Sequence, residues 1–401
     1  MSFELIKDIL IATVPLLVIF PSLFAFTTWV ERKALARIQN RIGPNKVGIP
    51  CTRISLFGLG QPLADGIKML FKEDIVPRGA DRLFHLLAPI LALIPAMVVL
   101  CFLPLEFPFW NNNIKAMKAF AMDGAVIFFF AITGLGTLAV FMAGWASRNK
   151  YSLLGGMRAI AQMVSYEIPL VLSAVVVVMM VGSLSAADIV REQEYLWFVL
   201  TPWGFAAFVI FFIGALAETN RSPFDLPEAE SEIIAGYFTE YSGFKFALFF
   251  LGEYIAMFAI SGLAVVLFLG GGHGPYSDNA WIFCLWFLAK ILALIAVMIW
   301  LRGTLPRLRV DQLMAFAWKF LLPLSILNIL LAGAAMHLLS GGQLEALTRR
   351  QENLYRIMEA ANPLVIGGLW IGSLLILYAA ARGLDNLTRG KVRPREYKYA
   401  E

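Results

Sequence analysis

Cysteine and histidine are nearly absent from this 401-residue chain, which has three of each. Cys51, Cys101 and Cys284 lie too far apart for a CxxC pair, a zinc ribbon or an iron–sulfur run. His85, His273 and His337 cannot supply the facing pairs that several haems need. No GxxxxGKS/T loop occurs, and no GxGxxG follows a strand; the nearest candidate, Gly134-Leu-Gly136, lies inside an apolar run. Charge is also scarce. Only 15% of residues are charged, where a soluble domain carries about 25%. Any redox cofactor or nucleotide site must therefore belong to a partner.

What the chain has instead is apolar bulk. Hydrophobic residues make up 59% of it, and the mean hydropathy is +0.73. Lipid is the solvent for most of such a sequence. Nine apolar runs lie near 9–30, 84–105, 124–143, 160–182, 197–217, 246–270, 280–301, 316–340 and 363–381, each near the ~20 residues that cross a bilayer as a helix. The first runs straight into Glu31-Arg32-Lys33 with no small-residue cleavage pattern, so it reads as an anchor and not a signal peptide. The expected fold is all-α: a polytopic helix bundle of about nine transmembrane helices.

Lysine and arginine set the orientation. Twenty-four of the 33 basic residues fall in the connections after runs one, three, five and seven and in the tail after run nine. That side is expected to be cytoplasmic, with the N-terminus periplasmic and the C-terminus cytoplasmic. The +5 net charge needs no further explanation, and nucleic-acid binding is not indicated.

The polar residues of the cytoplasmic connections carry the functional information. The first opens with the dense set Glu31, Arg32, Lys33, Arg37 and Arg41 at a membrane boundary, then the turn signal Gly43-Pro44-Asn45. Residues 61–72 follow with Leu63, Ile67, Leu70 and Phe71 on one helical face and Gln61, Asp65, Lys68 and Lys72 on the other. That helix is too short to span, so it should lie in the interface or roof a cavity. Arg158, Gln162 and Ser165 share one face ahead of the fourth run, with Glu167 roughly opposite and inside the span. A carboxylate at that depth costs several kcal/mol unless paired, hydrated or protonated. The fifth connection carries Glu218, Asp225, Glu228, Glu230, Glu232 and Glu240 against Arg221. Asp225 as an N-cap with Glu228 in a capping box explains part of it. It leaves Glu232, Glu240 and Glu253 unexplained, and crowded carboxylates near a low dielectric suit proton uptake and release. Lys290, mid-span, calls for a carboxylate or water partner.

The strings ERKALARIQNRIGPNKVG, GQPLADGIKMLFKED, RAIAQMVSYE, ETNRSPFDLPEAESEIIAGYFTEYSG, FFLGEY and RGTLPRLRVDQLM resemble the H-subunit family of bacterial NADH:quinone oxidoreductase, the family of the first mitochondrially encoded subunit of respiratory complex I. The resemblance covers about residues 5–340. It implies a family membrane domain at 1–340 with eight helices, followed at 341–401 by an additional helix and a basic tail. It also implies an inner-membrane location, quinone as substrate at the junction with the hydrophilic arm, and no flavin, haem or iron–sulfur cluster in this chain. The partners implied are the other membrane subunits and the quinone-site and iron–sulfur subunits. By the same resemblance, Glu31, Arg32, Arg41, Asp65, Lys68, Arg158, Arg221, Asp225 and Arg302 belong to the quinone cavity and its loops, with Arg307 nearby. Glu167, Glu218, Glu228, Glu232 and Glu253 match a charged path toward antiporter-like subunits. Two other readings remain: the anchor subunit of a related membrane-bound hydrogenase, and an autonomous secondary transporter. A transporter should show inverted repeats and midplane broken helices, and neither stands out.

Overall fold

The computed structural model describes residues 22–48, 57–103, 123–225, 235–276, 279–339 and 363–388. Glu228, Glu230 and Glu232, and the first part of the first apolar run, lie outside the described residues. All regular structure among the described residues is helical. We number the helices α1 (residues 22–38), α2 (Gln61–Phe71), α3 (Arg82–Leu100), α4 (Ala125–Ala146), α5 (Lys150–Val181), α6 (Ala186–Glu192) and α7 (Pro202–Glu218). The remainder are α8 (Gly243–Phe268), α9 (Ala280–Thr304), α10, running through Val310–Phe316, a π turn Ala317–Leu321 and Leu322–Leu339, and α11 (Pro363–Thr388).

Seven of these helices are long and apolar enough to cross a membrane. The expectation of a multi-pass helical bundle therefore holds. The fifth run is shorter than predicted. A 3-10 turn, Phe198–Leu200, takes up its start, and the Thr201 side chain caps α7 by accepting from the Gly204 N–H at 3.2 Å. The 17 residues of α7 reach about 26 Å at 1.5 Å per residue, short of a ~30 Å hydrocarbon core. The fourth run is longer than predicted. Its helix begins at Lys150, not near 160, because Asn149 caps it and no breaker intervenes. Arg158 therefore sits on the same rigid helix as Glu167.

The long α8 forms the centre of the bundle, buried along nearly all of its second half. It packs on α3, α9, α7 and α2, while α5 packs on α7, α4 and α10. Close approach between elements depends on missing side chains: a Cβ on Gly155 of α5 would lie 2.6 Å from the Gly236 Cα. The end of α1 is fixed by its own chemistry. Asn40 takes φ +56°, the Arg41 N–H reaches the Ala36 carbonyl at 2.8 Å and Asn40 N–H reaches Arg37, the two bonds of a Schellman stop. The helix thus ends shortly past Glu31 and Arg32 and holds both at a fixed depth. Helix α11 leans on α10 and α7 at the edge of the bundle, and most of its apolar surface stays uncovered.

Candidate functional site

Two groups of polar side chains meet at the end of α1, on successive residues. Glu31 turns inward and is buried; Arg32 turns outward. A helix places neighbouring residues about 100° apart, so one helix can serve an enclosed cluster and an open cleft at the same level.

The enclosed cluster is built around the Glu31 carboxylate. Arg221, from the loop after α7, approaches Oε1 and Oε2 at 3.3 and 3.5 Å. Arg302, in the last turn of α9, donates to Oε1, and the Tyr254 hydroxyl of α8 donates to Oε2 at 2.7 Å. The Arg221 guanidinium also lies 4.0 Å from the centre of the Tyr254 ring. Burial pushes the Glu31 acid upward, but the two guanidiniums and the tyrosine hydroxyl outweigh it and hold the group below its ordinary value. Two guanidiniums converge on this one carboxylate, and among the described residues Nε and Nη2 of Arg221 have no hydrogen-bond partner.

The loop carrying Arg221 is fastened on every side. Gln162 of α5 donates from Nε2 to the Ala217 and Phe224 carbonyls, both at 2.8 Å. Leu308 N–H reaches the Pro223 carbonyl, and Tyr166 stacks edge-on to Phe224 while donating to the Leu313 carbonyl at 2.9 Å. Arg307 pairs with Asp225 at 3.0 Å. Asp225 thus has an ion-pair role that capping did not anticipate; the residues it would cap lie outside the described ones.

The open side is a cleft of about 430 Å³ lined by Arg32, Asp65, Lys68, Lys72, Phe238 and Phe246, among others. Arg32 pairs with Asp65 at 2.5 Å, and Gln61 holds the other Asp65 oxygen at 2.9 Å. The predicted amphipathic helix is therefore α2. Its polar face lines the cleft, and Leu63, Ile67, Leu70 and Phe71 are exposed on the other face. Aromatic walls beside charged groups suit a flat, partly polar ligand.

The remaining predicted residues divide. Glu167 reaches α4 where a glycine makes room: its Oε1 would lie 3.4 Å from a Cβ at Gly134. Glu218 is close enough to sense the Glu167 charge and adjoins Thr133, and its Oε2 is buried. Glu253 accepts from the Tyr237 hydroxyl at 3.1 Å. Glu240, with Asn149 at 2.7 Å, belongs to a separate packing contact. Arg41 stays exposed beside Gln39 and joins neither group, and Arg158 is half-buried on α5. Glu228 and Glu232 lie outside the described residues.

Lys290 differs from its prediction. Its partners are backbone carbonyls: Leu269 at 2.6 Å, Gly271 at 2.9 Å and His273 at 2.7 Å, with the Trp197 ring 4.2 Å away. The end of α8 leaves carbonyls without helical partners, and an ammonium with three donors satisfies them. Its role here is to close a helix end. The residues that the sequence pattern does not single out are Tyr254 and Tyr237. Both lie inside informative strings, FFLGEY and the fifth connection, but beside acids that are the stronger anomaly.

A family model described as NADH dehydrogenase matches residues 11–333. The chain is 50% identical over 311 residues to the H subunit of the NADH-quinone oxidoreductase of Geobacillus kaustophilus (strain HTA426), an alignment covering 77% of this chain and 88% of that protein. It is 49% identical over 312 residues to the H subunit numbered 2 of the NADH-quinone oxidoreductase of Syntrophobacter fumaroxidans, covering 77% and 90%. It is 47% identical over 337 residues to the corresponding H subunit of Thermomicrobium roseum, covering 79% and 93%.

Proposed function

The chain belongs to the NADH dehydrogenase family, and on that premise we propose that it is the membrane subunit of a proton-pumping NADH:quinone oxidoreductase that forms the membrane end of the quinone cavity. The observation that carries this reading is the pairing of an open, aromatic-walled cleft with a buried ion cluster on consecutive residues, Arg32 and Glu31.

In this account the cleft between α2 and Phe238–Phe246 receives the quinone from the bilayer. Arg32, Asp65 and Lys68 meet its polar head, with Arg41 and Arg158 on the flanking segments. Arginine and lysine stabilise the negative charge that develops as a quinone is reduced. Behind the cleft, Glu31, Arg221 and Arg302 register that change, and the Asp225–Arg307 pair keeps the Arg221 loop in place. Glu218, Glu167 and Glu253, with Glu228 and Glu232, form the row of acids that carries the charge change onward. Electrons come from iron–sulfur and flavin subunits, so this chain supplies cavity, orientation and field. The orientation follows the basic residues: N-terminus periplasmic, C-terminus cytoplasmic. Residues 1–340 form the family membrane domain, and 341–401, beyond the family match, an added peripheral helix and tail.

A photoreactive quinone tests the site. Irradiated in native membranes, it should label the peptide holding residues 61–72, and Asp65→Asn should raise the quinone KM. Labelling confined to other parts of the chain would overturn the assignment. Gentle purification tests the partners: flavin and iron–sulfur subunits should come along, whereas nickel–iron subunits would point to a hydrogenase.

A further inference from the structure

We propose that Tyr254 is a positioning residue of this site, its hydroxyl fixing the Glu31 carboxylate while its ring fixes the Arg221 guanidinium. The inference rests on the reading of the site given above.

The geometry is specific. Tyr254 is 7% exposed. Its hydroxyl donates to Glu31 Oε2 at 2.7 Å, a length typical of a charge-assisted bond. Its ring face meets the Arg221 guanidinium at 4.0 Å. Phe24 of α1 abuts the same ring edge-on at 5.1 Å, which leaves the ring little freedom to turn. One side chain therefore touches both members of an ion pair whose partners are 190 positions apart in the chain. Arg302, from α9, adds a second guanidinium on the same carboxylate.

The place of Tyr254 in the chain gives this contact a consequence. The preceding residue is Glu253, which turns about a quarter of the helix away and accepts from Tyr237 at 3.1 Å. Arg221 senses the charges of both Glu31 and Glu253. Tyr254 thus holds the enclosed Glu31 carboxylate, and the residue before it is a second acid whose charge reaches Arg221. If Tyr254 keeps Arg221 stacked, a change of charge in the cleft alters the field at Glu253 without the guanidinium swinging away. The groups facing Glu31 are Arg221 from the loop after α7, Arg302 from α9 and Tyr254 from α8; Arg32, next in sequence, faces the cleft. With two guanidiniums opposing it, the carboxylate is ionised, so the hydroxyl acts only as donor.

The test uses the assembled complex in native membranes, with turnover normalised to complex content. Tyr254→Phe keeps the ring and removes the donor. The acid limb of the NADH:quinone turnover profile should move up by about one pH unit, the size expected when a carboxylate loses one charge-assisted hydrogen bond. The quinone KM should stay within about twofold, because Tyr254 is not among the cleft-lining residues. Tyr254→Leu removes the ring as well and should lower kcat a further tenfold or so. A phenylalanine variant with an unmoved acid limb overturns the proposal. If that variant does not assemble, 3,5-difluorotyrosine at position 254 preserves shape and donates more strongly; the limb should then move down, and an unmoved limb again overturns the proposal. Glu31→Gln in the same assay separates the two levels. Full activity there defeats the underlying reading of the site, whereas a loss there with an unmoved limb in Tyr254→Phe defeats only this inference.

Discussion

If Glu31 and Arg221 act as one unit, removing both should cost much less than the sum of removing each. Their side chains are 4% and 8% exposed, so neither charge can turn to water when its partner is lost. Breaking such a buried pair costs about 3–5 kcal/mol. Two features lower the figure. Arg302, 28% exposed, continues to neutralise Glu31 when Arg221 is absent, and Tyr254 still donates to the carboxylate. Arg221→Met should therefore cost about 2–3 kcal/mol, below that range because the carboxylate keeps two of its three partners. Glu31→Gln leaves Arg221 buried with two nitrogens already without partners among the described residues, so about 3 kcal/mol is expected. In the double variant the remaining cation, Arg302, reaches solvent, and the coupling should be about 2 kcal/mol, roughly thirtyfold. The assay is kcat/KM for quinone, per assembled complex, in wild type, both single variants and the double, converted to free energies. Additivity within about 0.5 kcal/mol would refute the claim that the two side chains form one functional pair.

Four further outcomes are expected. Glu31 is held below its ordinary value of 4.5, so its stabilising contribution is complete above that pH and disappears as pH falls through the lower folded value; thermal inactivation between pH 7 and 5 should not respond to Glu31→Gln through titration, and a large difference in slope there would contradict this. Lys290→Met removes an ammonium from three carbonyls and should destabilise the complex by about 2–4 kcal/mol in thermal inactivation, while leaving the quinone KM unchanged; a changed KM would give Lys290 a functional role. Gly155→Val would drive a Cβ to within 2.6 Å of the Gly236 Cα, so the variant should fail to assemble, and normal complex content would contradict the close packing described. Asp65→Asn breaks a pair whose members are 51% and 28% exposed, so stability should change by less than about 1 kcal/mol even as the quinone KM rises; unfolding on this substitution would make the pair structural.

Sequence and structure inform each other unevenly here. The apolar runs were legible because lipid imposes one length and one secondary structure on every span. The amphipathic helix α2 was legible for the same kind of reason, since its two faces differ at helical spacing. The helix ends were not: α5 starts ten residues early because an asparagine cap, not hydropathy, decides where it begins. The individual charges at the site were visible as anomalies, but their pairing was not. Glu31 and Arg302 are 271 positions apart, and no local pattern announces that they meet. Tyr254 was missed because tyrosine in an apolar span raises no energetic alarm, whereas its neighbour Glu253 does. Lys290 raised that alarm and proved to satisfy carbonyls at a helix end, a partner that periodicity cannot reveal.

The central claim is that quinone chemistry in the cleft is coupled to the acids behind it. Glu218→Gln tests it most directly, since that residue is near enough to sense the Glu167 charge and does not line the cleft. In inside-out membrane vesicles the ratio of protons taken up to NADH oxidised should fall sharply while assembly of the complex is preserved. A normal ratio with normal assembly would contradict the account.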